Sequence, residues 1–170
     1  MSDFETGGSG LVFGRQFWND PVMFSNVPQR LDGIAIARGV VRMLAQHDRP
    51  ALTEVTLRNS RRADVMSIGR EGAIWIVEVK SSIADYRSDA KWQEYRDFCD
   101  RFFFAVPPDF PTEIIPDDCG LIIADAFDGA FARDAPDLRL NAARRKAVTL
   151  RFARMAAERL ARLGTDPVAA

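Results

Sequence analysis

Three short segments between residues 51 and 80 constrain the fold most, because each has the pattern of a β-strand and only short turns separate them. The first segment, ALTEVTLRN, alternates between apolar and polar residues. The segments ADVMSI and AIWIVEVK follow it, and the turn-like GREG lies between them. Consecutive strands with such short connections pair with each other. We therefore predict a three-stranded antiparallel meander.

Apolar periodicity predicts three helices around this meander, each with a stripe of core residues. The first helix spans residues 29–46 and is stopped by Pro50. The second spans residues 84–99, and the third spans about residues 141–163. The predicted stripes are, in chain order, Leu31, Ile34, Ala35, Val41, Leu44 and Ala45; Trp92, Tyr95 and Cys99; and Val148, Phe152, Ala156, Leu160 and Leu163.

Two apolar strands, RFFFAV and CGLIIADA, follow the second helix, and a weaker strand pattern surrounds Ala130. The order strand, helix, strand implies a parallel crossover, so we predict an α/β fold with a mixed central sheet flanked by helices. A chain of 170 residues with 47% hydrophobic content can bury one real core. We assign this single domain to residues 29–163, with an irregular N-terminal arm at 1–28 and a C-terminal tail at 164–170. The aromatic residues of the arm favour packing on the domain, with docking on a partner or on bases as the alternative.

Composition excludes several classes of protein. Two cysteines and one histidine, His47, provide neither a disulfide framework nor an ordinary four-ligand zinc site. We expect both cysteines to be small core residues and His47 to be an exposed or capping residue at a helix end. The amino terminus is acidic and glycine-rich, and no apolar run approaches membrane-spanning length. We therefore expect a cytoplasmic protein without a membrane partner.

Three charged residues occupy segments that otherwise have the pattern of buried strands: Asp64, Glu78 and Lys80. Period-two alternation places Glu78 and Lys80 on the same face of their strand. A hairpin that turns through GREG brings Asp64 alongside them. Two paired carboxylates repel each other unless a cation lies between them, so Asp64 and Glu78 suit a divalent metal ion with oxygen ligands.

An ordinary structural role is the alternative for the same three residues. Glu78 and Lys80 would then form a local ion pair at a strand end, while Asp64 would pair with Arg61 or Arg62. The spacing Asp-x13-Glu-x-Lys does not decide between the two interpretations, because Glu-x-Lys occurs by chance in many strands.

The order of these elements, with Asp on one strand and Glu-x-Lys on the next, resembles the PD-(D/E)XK nuclease superfamily. More specifically, LTEVTLRNSRRADVMSI, VEVKSSIADYRSDAKWQEYRDFCDRFFFAV and CGLIIADAF are similar to the MmcB-type DNA repair proteins, a family within that superfamily. The resemblance covers roughly residues 28–162. It implies a restriction-endonuclease-like core.

The resemblance also implies an activity. Asp64 and Glu78 would bind Mg²⁺ or Mn²⁺, Lys80 would orient a water molecule or stabilise the developing charge, and DNA hydrolysis would leave a 5′ phosphate. Many superfamily members add an acidic residue from the first helix, which here contains only Asp32 near its start. Glu54 on the first strand is the expected substitute as a catalytic residue and metal ligand, although a surface role for Glu54 is equally consistent.

Basic residues suggest where DNA would bind. Between Arg139 and Arg162 there are eight Arg and Lys residues against one Glu, a net charge of +7 in a chain of net charge -1. The candidate phosphate contacts are Arg144, Arg151 and Arg154, together with Arg87 and Lys91 near the site. A solvated basic helix face is the alternative. A DNA-binding or repair-complex subunit without catalysis, an RNA substrate, and a homodimer or a repair-protein partner all remain open.

Overall fold

The computed structural model of the protein describes residues 32–165, and its first helix begins at Gly33. Asp32 has an extended backbone, and its side-chain Oδ1 accepts a hydrogen bond from the N–H of Ala35 at 2.6 Å. This cap starts α1 (Gly33–Gln46), four residues after the predicted Gln29. The predicted arm lies outside the described residues.

The predicted apolar stripe of α1 was only partly correct: Leu44 is buried and Val41 packs against the core, but Ile34 and Ala45 are exposed, and Leu31 lies outside the described residues. Ile36, Val40 and Met43 form the buried face, whereas Ile34 is 66% exposed. Positions 36, 40 and 43 follow the spacing of a helix that lies on a sheet. The sequence supports two overlapping stripes, and packing against the sheet selects the second.

One mixed sheet of six strands confirms the predicted α/β class. Its order is β1-β2-β3-β4-β5-β6, with β3, β4 and β5 parallel and the other neighbours antiparallel. The first three strands are the predicted meander, and the weak strand around Ala130 is present. The strands are β1 (Ala51–Thr56), β2 (Arg62–Ile68), β3 (Ile74–Val79), β4 (Arg101–Val106), β5 (Gly120–Ala124) and β6 (Gly129–Arg133).

The predicted helix over residues 84–99 was wrong, because the structure divides it into two short elements. Helix α2 spans Ile83–Ser88, and a 3-10 helix spans Trp92–Phe98. The backbone leaves the helical conformation at Asp89, whose carboxylate contacts Lys80 and also accepts the N–H of Lys91. Trp92, Tyr95 and Cys99 are nevertheless buried together, as predicted. A second short 3-10 helix spans Thr112–Ile114 between β4 and β5.

The sheet has a core on each face. Helix α1 covers the face that includes Val65, Val77 and Phe103. The 3-10 helix at Trp92–Phe98 and helix α3 (Ala142–Thr165) cover the other face, which includes Met66 and Phe102. No helix within residues 32–165 is both long enough and apolar enough to cross a membrane.

The end of α3 differs from its prediction. Val148 is buried and Phe152 packs against the core, but Leu160 is 70% exposed and Leu163 is 75% exposed. A helix of 24 residues is about 36 Å long, and its residues that pack against the core include Val148, Phe152 and Met155 but neither Leu160 nor Leu163. The helix also continues to Thr165, so two residues of the predicted tail are helical.

Candidate active site

The β2–β3 hairpin brings the two predicted carboxylates together. Val65 pairs with Val77, so the next position along the register places Asp64 opposite Glu78. Asp64 Oδ2 accepts a hydrogen bond from the N–H of Val79 at 2.8 Å, which fixes its orientation. Both carboxylates line one cavity of ≈ 960 Å³, and Lys80 lines the same cavity.

Lys80 lies between two carboxylates immediately after β3. Its Nζ is 2.8 Å from Asp89 Oδ2 and 3.4 Å from Glu78 Oε1. Its backbone N–H donates to the carbonyl of Ala105 in the parallel neighbour β4. Lys80 and Glu78 are only 4% and 6% exposed. The structure therefore places Asp64 and Glu78 side by side and also forms the Lys80–Glu78 ion pair of the alternative interpretation. The other part of that alternative was wrong, because Arg61 pairs with Glu94 and Arg62 pairs with Glu54.

Burial shifts the protonation equilibria of this cluster. Burial, followed by the charge of Asp64, raises the pKa of Glu78 to about 8. Burial also raises the pKa of Asp64, in spite of the hydrogen bond from Val79. For Lys80, burial disfavours the charge, but the hydrogen bond to Asp89 and the charge of Glu78 raise its pKa overall. Lys80 is therefore a cation, and the repulsion between the two carboxylates favours the protonated form of Glu78 when no cation is bound.

The donor atoms fit a hard divalent cation. Glu78 Oε2 is buried and has no hydrogen-bond partner, which is costly for a carboxylate oxygen. A cation that this oxygen shares with Asp64 would satisfy it and remove the repulsion. Within the described chain, no group of three or more His, Cys, Asp or Glu side chains is arranged to hold a metal. The fit therefore depends on two carboxylates, and Mg²⁺ commonly completes such a shell with water and substrate oxygens.

Glu54 lies beside this pair on β1, opposite Asp64 in the register. Its backbone has a positive φ of 54°, so the alternation of the strand does not determine its direction. Its side chain is 49% exposed, and Oε2 lies 2.5 Å from Nε of Arg62. Glu54 lines the same cavity as the other three residues, but an arginine already neutralises its carboxylate. Its predicted metal role stays a prediction, and Asp32 uses its carboxylate as the helix cap.

Sequence reasoning missed the contribution of Asp89. The predicted helix over residues 84–99 would place Asp89 within a helical turn, whereas in the structure Asp89 ends α2 and bonds to the ammonium of Lys80. The only signal in the sequence is the pair Ser88 and Asp89, since both residue types favour turns. Asp85 also lines the cavity, and its Oδ2 accepts the N–H of Ser81 at 3.0 Å.

Tyr95 was expected only as a core residue, yet it also reaches the cluster. Its hydroxyl donates to the carbonyl of Arg62 at 3.0 Å and lies 3.5 Å from Glu78 Oε1. Burial raises the pKa of this hydroxyl. Tyr95 is therefore a neutral neighbour of Glu78.

The predicted phosphate contacts are all exposed, and three of them have partners within the protein. Arg144 bonds to the carbonyl and carboxylate of Asp97, and Arg151 donates to the carbonyl of Thr56. Arg154 lies 4.0 Å from Glu158, one turn along α3. Arg87 lies on α2, and Lys91 lines a separate groove together with Asp89; neither is among the described residues that line the cavity.

The residues that were predicted to be structural lie away from the site. His47 is exposed at the end of α1, with its ring edge-on to Phe131 at 5.3 Å. Cys99 and Cys119 are buried, and burial raises the pKa of both thiols, to about 11 for Cys119. Neither thiol suits nucleophilic catalysis.

A family model described as DNA repair protein MmcB-like matches residues 21–167. The chain belongs to the MmcB-like family. This membership confirms the predicted family and supports a role in DNA repair. A solved structure, titled SPO1766 protein of unknown function from Silicibacter pomeroyi, shares 47% sequence identity with this MmcB-like chain. The superposition has a TM-score of 0.76 and covers 81% of this chain and 94% of that chain. Among curated proteins, nothing matches.

Proposed function

We propose that this MmcB-like protein is a metal-dependent DNA nuclease with a restriction-endonuclease-like PD-(D/E)XK core. The observation that carries the proposal is the partnerless, buried Glu78 Oε2, which lies beside Asp64 and one pleat from Lys80. A strand interior tolerates such an arrangement most readily where a cation completes it. Membership of a DNA repair family supports DNA as the substrate.

Each residue would have a distinct part in phosphodiester hydrolysis. Asp64 and Glu78 would hold Mg²⁺ or Mn²⁺, with Glu54 as a further ligand if Arg62 releases it. The metal would polarise the phosphodiester and lower the pKa of a bound water. Lys80, held as a cation by Asp89, would orient the attacking water or stabilise negative charge in the transition state. The expected product has a 5′ phosphate.

The test is cleavage of single-stranded, nicked, flapped and branched DNA in Mg²⁺, in Mn²⁺ and in EDTA. Wild type is expected to cut only with a divalent ion. Glu78→Gln and Lys80→Ala are each expected to lower the rate by at least about 100-fold. Glu71→Gln is the matched control, because Glu71 is an exposed glutamate in the β2–β3 turn. Cleavage that survives both site substitutions would contradict the proposal.

A DNA-binding repair subunit without catalysis is the second candidate. The ion pair between Lys80 and Glu78 favours it, because that pair stabilises the cluster without any metal. This candidate predicts metal-independent DNA binding and no cleavage under any divalent-ion condition. RNA substrates in the same panel test the choice of nucleic acid, and size measurement with and without DNA tests for a homodimer.

A further inference from the structure

A cleft of ≈ 750 Å³ separates the start of α3 from the turn after β1. Its apolar surface includes the buried residues Leu57 and Val148 and the half-buried ring of Phe98. Ala143 and Ala147 lie one turn apart along the side that α3 contributes, and both are exposed. Because these side chains are small, a flat group can approach the ring of Phe98.

The rim of the same cleft is cationic. Arg58, Arg144 and Arg151 line it together with two asparagines, and no acidic residue is among the described residues that line it. Two of these guanidinium groups are held in place. Arg144 bonds to the carbonyl of Asp97, pairs with its carboxylate at 3.3 Å and lies over the Phe98 ring, 5.7 Å from its centre. Arg151 bonds to the carbonyl of Thr56 and has no acidic partner among the contacts of the described residues, so it and Arg58 supply the cationic charge of the rim. An apolar floor beneath fixed cations matches a nucleobase whose phosphates lie at the rim.

The cleft shares one lining residue with a second groove. Asn59 lines the cleft and also lines a groove of ≈ 520 Å³, which contains Asp89 and Lys91. Asp89 in turn holds the ammonium of Lys80 at 2.8 Å. A nucleic-acid strand that leaves the cleft past Asn59 would enter this groove, where Asp89 contacts Lys80 of the candidate active site.

We propose that this cleft receives an unpaired nucleobase of single-stranded DNA, whose backbone extends to the candidate active site. The inference rests on the proposed function and names the form of its substrate. Only an unpaired base can lie flat on Phe98, because duplex bases are stacked inside the helix. The cationic rim supplies the backbone contacts, and the apolar floor supplies the preference for strands that carry bases.

The experiment measures binding by fluorescence anisotropy in EDTA, where a metal-dependent nuclease does not cut. The probes are an oligothymidylate and an abasic strand of the same length. Wild type is expected to bind the thymidine strand at least about fivefold more tightly. Ala147→Leu fills the cleft and should remove this preference while the affinity for the abasic strand stays unchanged. Ala153→Leu makes the same change at an exposed α3 position outside the cleft and should behave as wild type.

A second pair of variants tests the ring itself. Phe98→Ala should also remove the preference for bases, whereas Phe127→Ala should not, since Phe127 is 74% exposed in the β5–β6 turn. Circular dichroism identifies a Phe98→Ala protein that has not folded, in which case Ala147→Leu alone decides.

Three results would overturn the inference: equal wild-type affinity for both strands, Ala147→Leu behaving like Ala153→Leu, or tighter binding of an oligouridylate than of the oligothymidylate. Base-dependent binding without cleavage in any metal would refute the nuclease and leave the base-binding cleft in place. Metal-dependent cleavage without a base preference would refute the cleft alone.

Discussion

Asp89 holds the ammonium group of Lys80 by the shortest contact that Lys80 makes, 2.8 Å. If Lys80 acts on the attacking water, Asp89 is a positioning residue. Asp89→Asn removes the charge partner and should lower the cleavage rate by about 10- to 100-fold, a range typical of residues that orient a site. DNA binding in EDTA should stay unchanged, because Asp89 would act through Lys80 on the chemical step.

The control for this substitution is Asp109→Asn, at an exposed aspartate in the loop after β4. Asp89→Glu keeps the charge and should recover part of the activity. Full activity for Asp89→Asn together with a loss for Asp89→Glu would instead indicate that Asp89 is needed only to end α2, because Asn favours turns as Asp does. A loss of DNA binding that matches the loss of rate would place Asp89 in substrate binding.

The individual residues of the candidate active site differ in how far their positions could be predicted from the sequence. Strand alternation and a short turn suffice to bring Asp64, Glu78 and Lys80 together, because both are local rules. Asp89 was not predictable in this way, since an ionic contact with Lys80 interrupts a segment that has helical periodicity. The backbone of Glu54 has a positive φ, which no strand pattern predicts.

Among the elements, β3, β4 and α3 are joined by the carboxylate of Asp100. Its oxygens accept the N–H groups of Ile74 and Leu140 and two short bonds from Arg145 on α3. Although partial burial disfavours the charge, these bonds lower the pKa of Asp100 below its ordinary value of 3.8. Asp100→Asn places an amide N–H against these donors. We expect it to cost roughly 3 kcal/mol in the free energy of unfolding.

The pH dependence of this stabilisation follows from the direction of the shift. Because the pKa of folded Asp100 is lowered, its contribution is complete above the ordinary value and is lost as the pH falls through the folded value. Urea unfolding should therefore show a large difference between wild type and Asp100→Asn at neutral pH, and a smaller one in strong acid. Asp117→Asn is the control, since that side chain is 97% exposed and should cost less than about 0.5 kcal/mol. A difference that is constant with pH would contradict the ionic account.

The sequence predicted helices and strands correctly where a single local pattern of apolar residues determines the type of element. The meander, the parallel crossover and the long C-terminal helix follow from alternation and helical spacing. The face of α1 and the exposed end of α3 depend on what lies beneath each helix. Leu160 continues the apolar spacing of Val148 and Phe152, yet the core under α3 ends before it. The periodicity of apolar residues shows which face of a helix is apolar, but it does not show how far the core beneath that helix extends.

For the whole molecule, a cation that binds the folded state links the site to global stability. A ligand at about 100 times its Kd stabilises a protein by about 2.7 kcal/mol, which is roughly 5–10 °C in Tm for a chain of this size. We expect Mn²⁺ to raise the Tm of wild type by such an amount, and EDTA to reverse it. Glu78→Gln should show no shift, while Glu71→Gln should shift as wild type does.

The Tm in EDTA separates the metal site from the ion-pair alternative. If Glu78 serves a cation, the metal-free protein contains an unsatisfied carboxylate oxygen beside Asp64, and Glu78→Gln should unfold at or above the wild-type Tm. If Glu78 instead serves to pair with Lys80, the same substitution leaves that ammonium with Asp89 alone and should lower the Tm. A lowered Tm together with an unchanged Mn²⁺ shift would place the cation elsewhere and leave Glu78 as a structural residue.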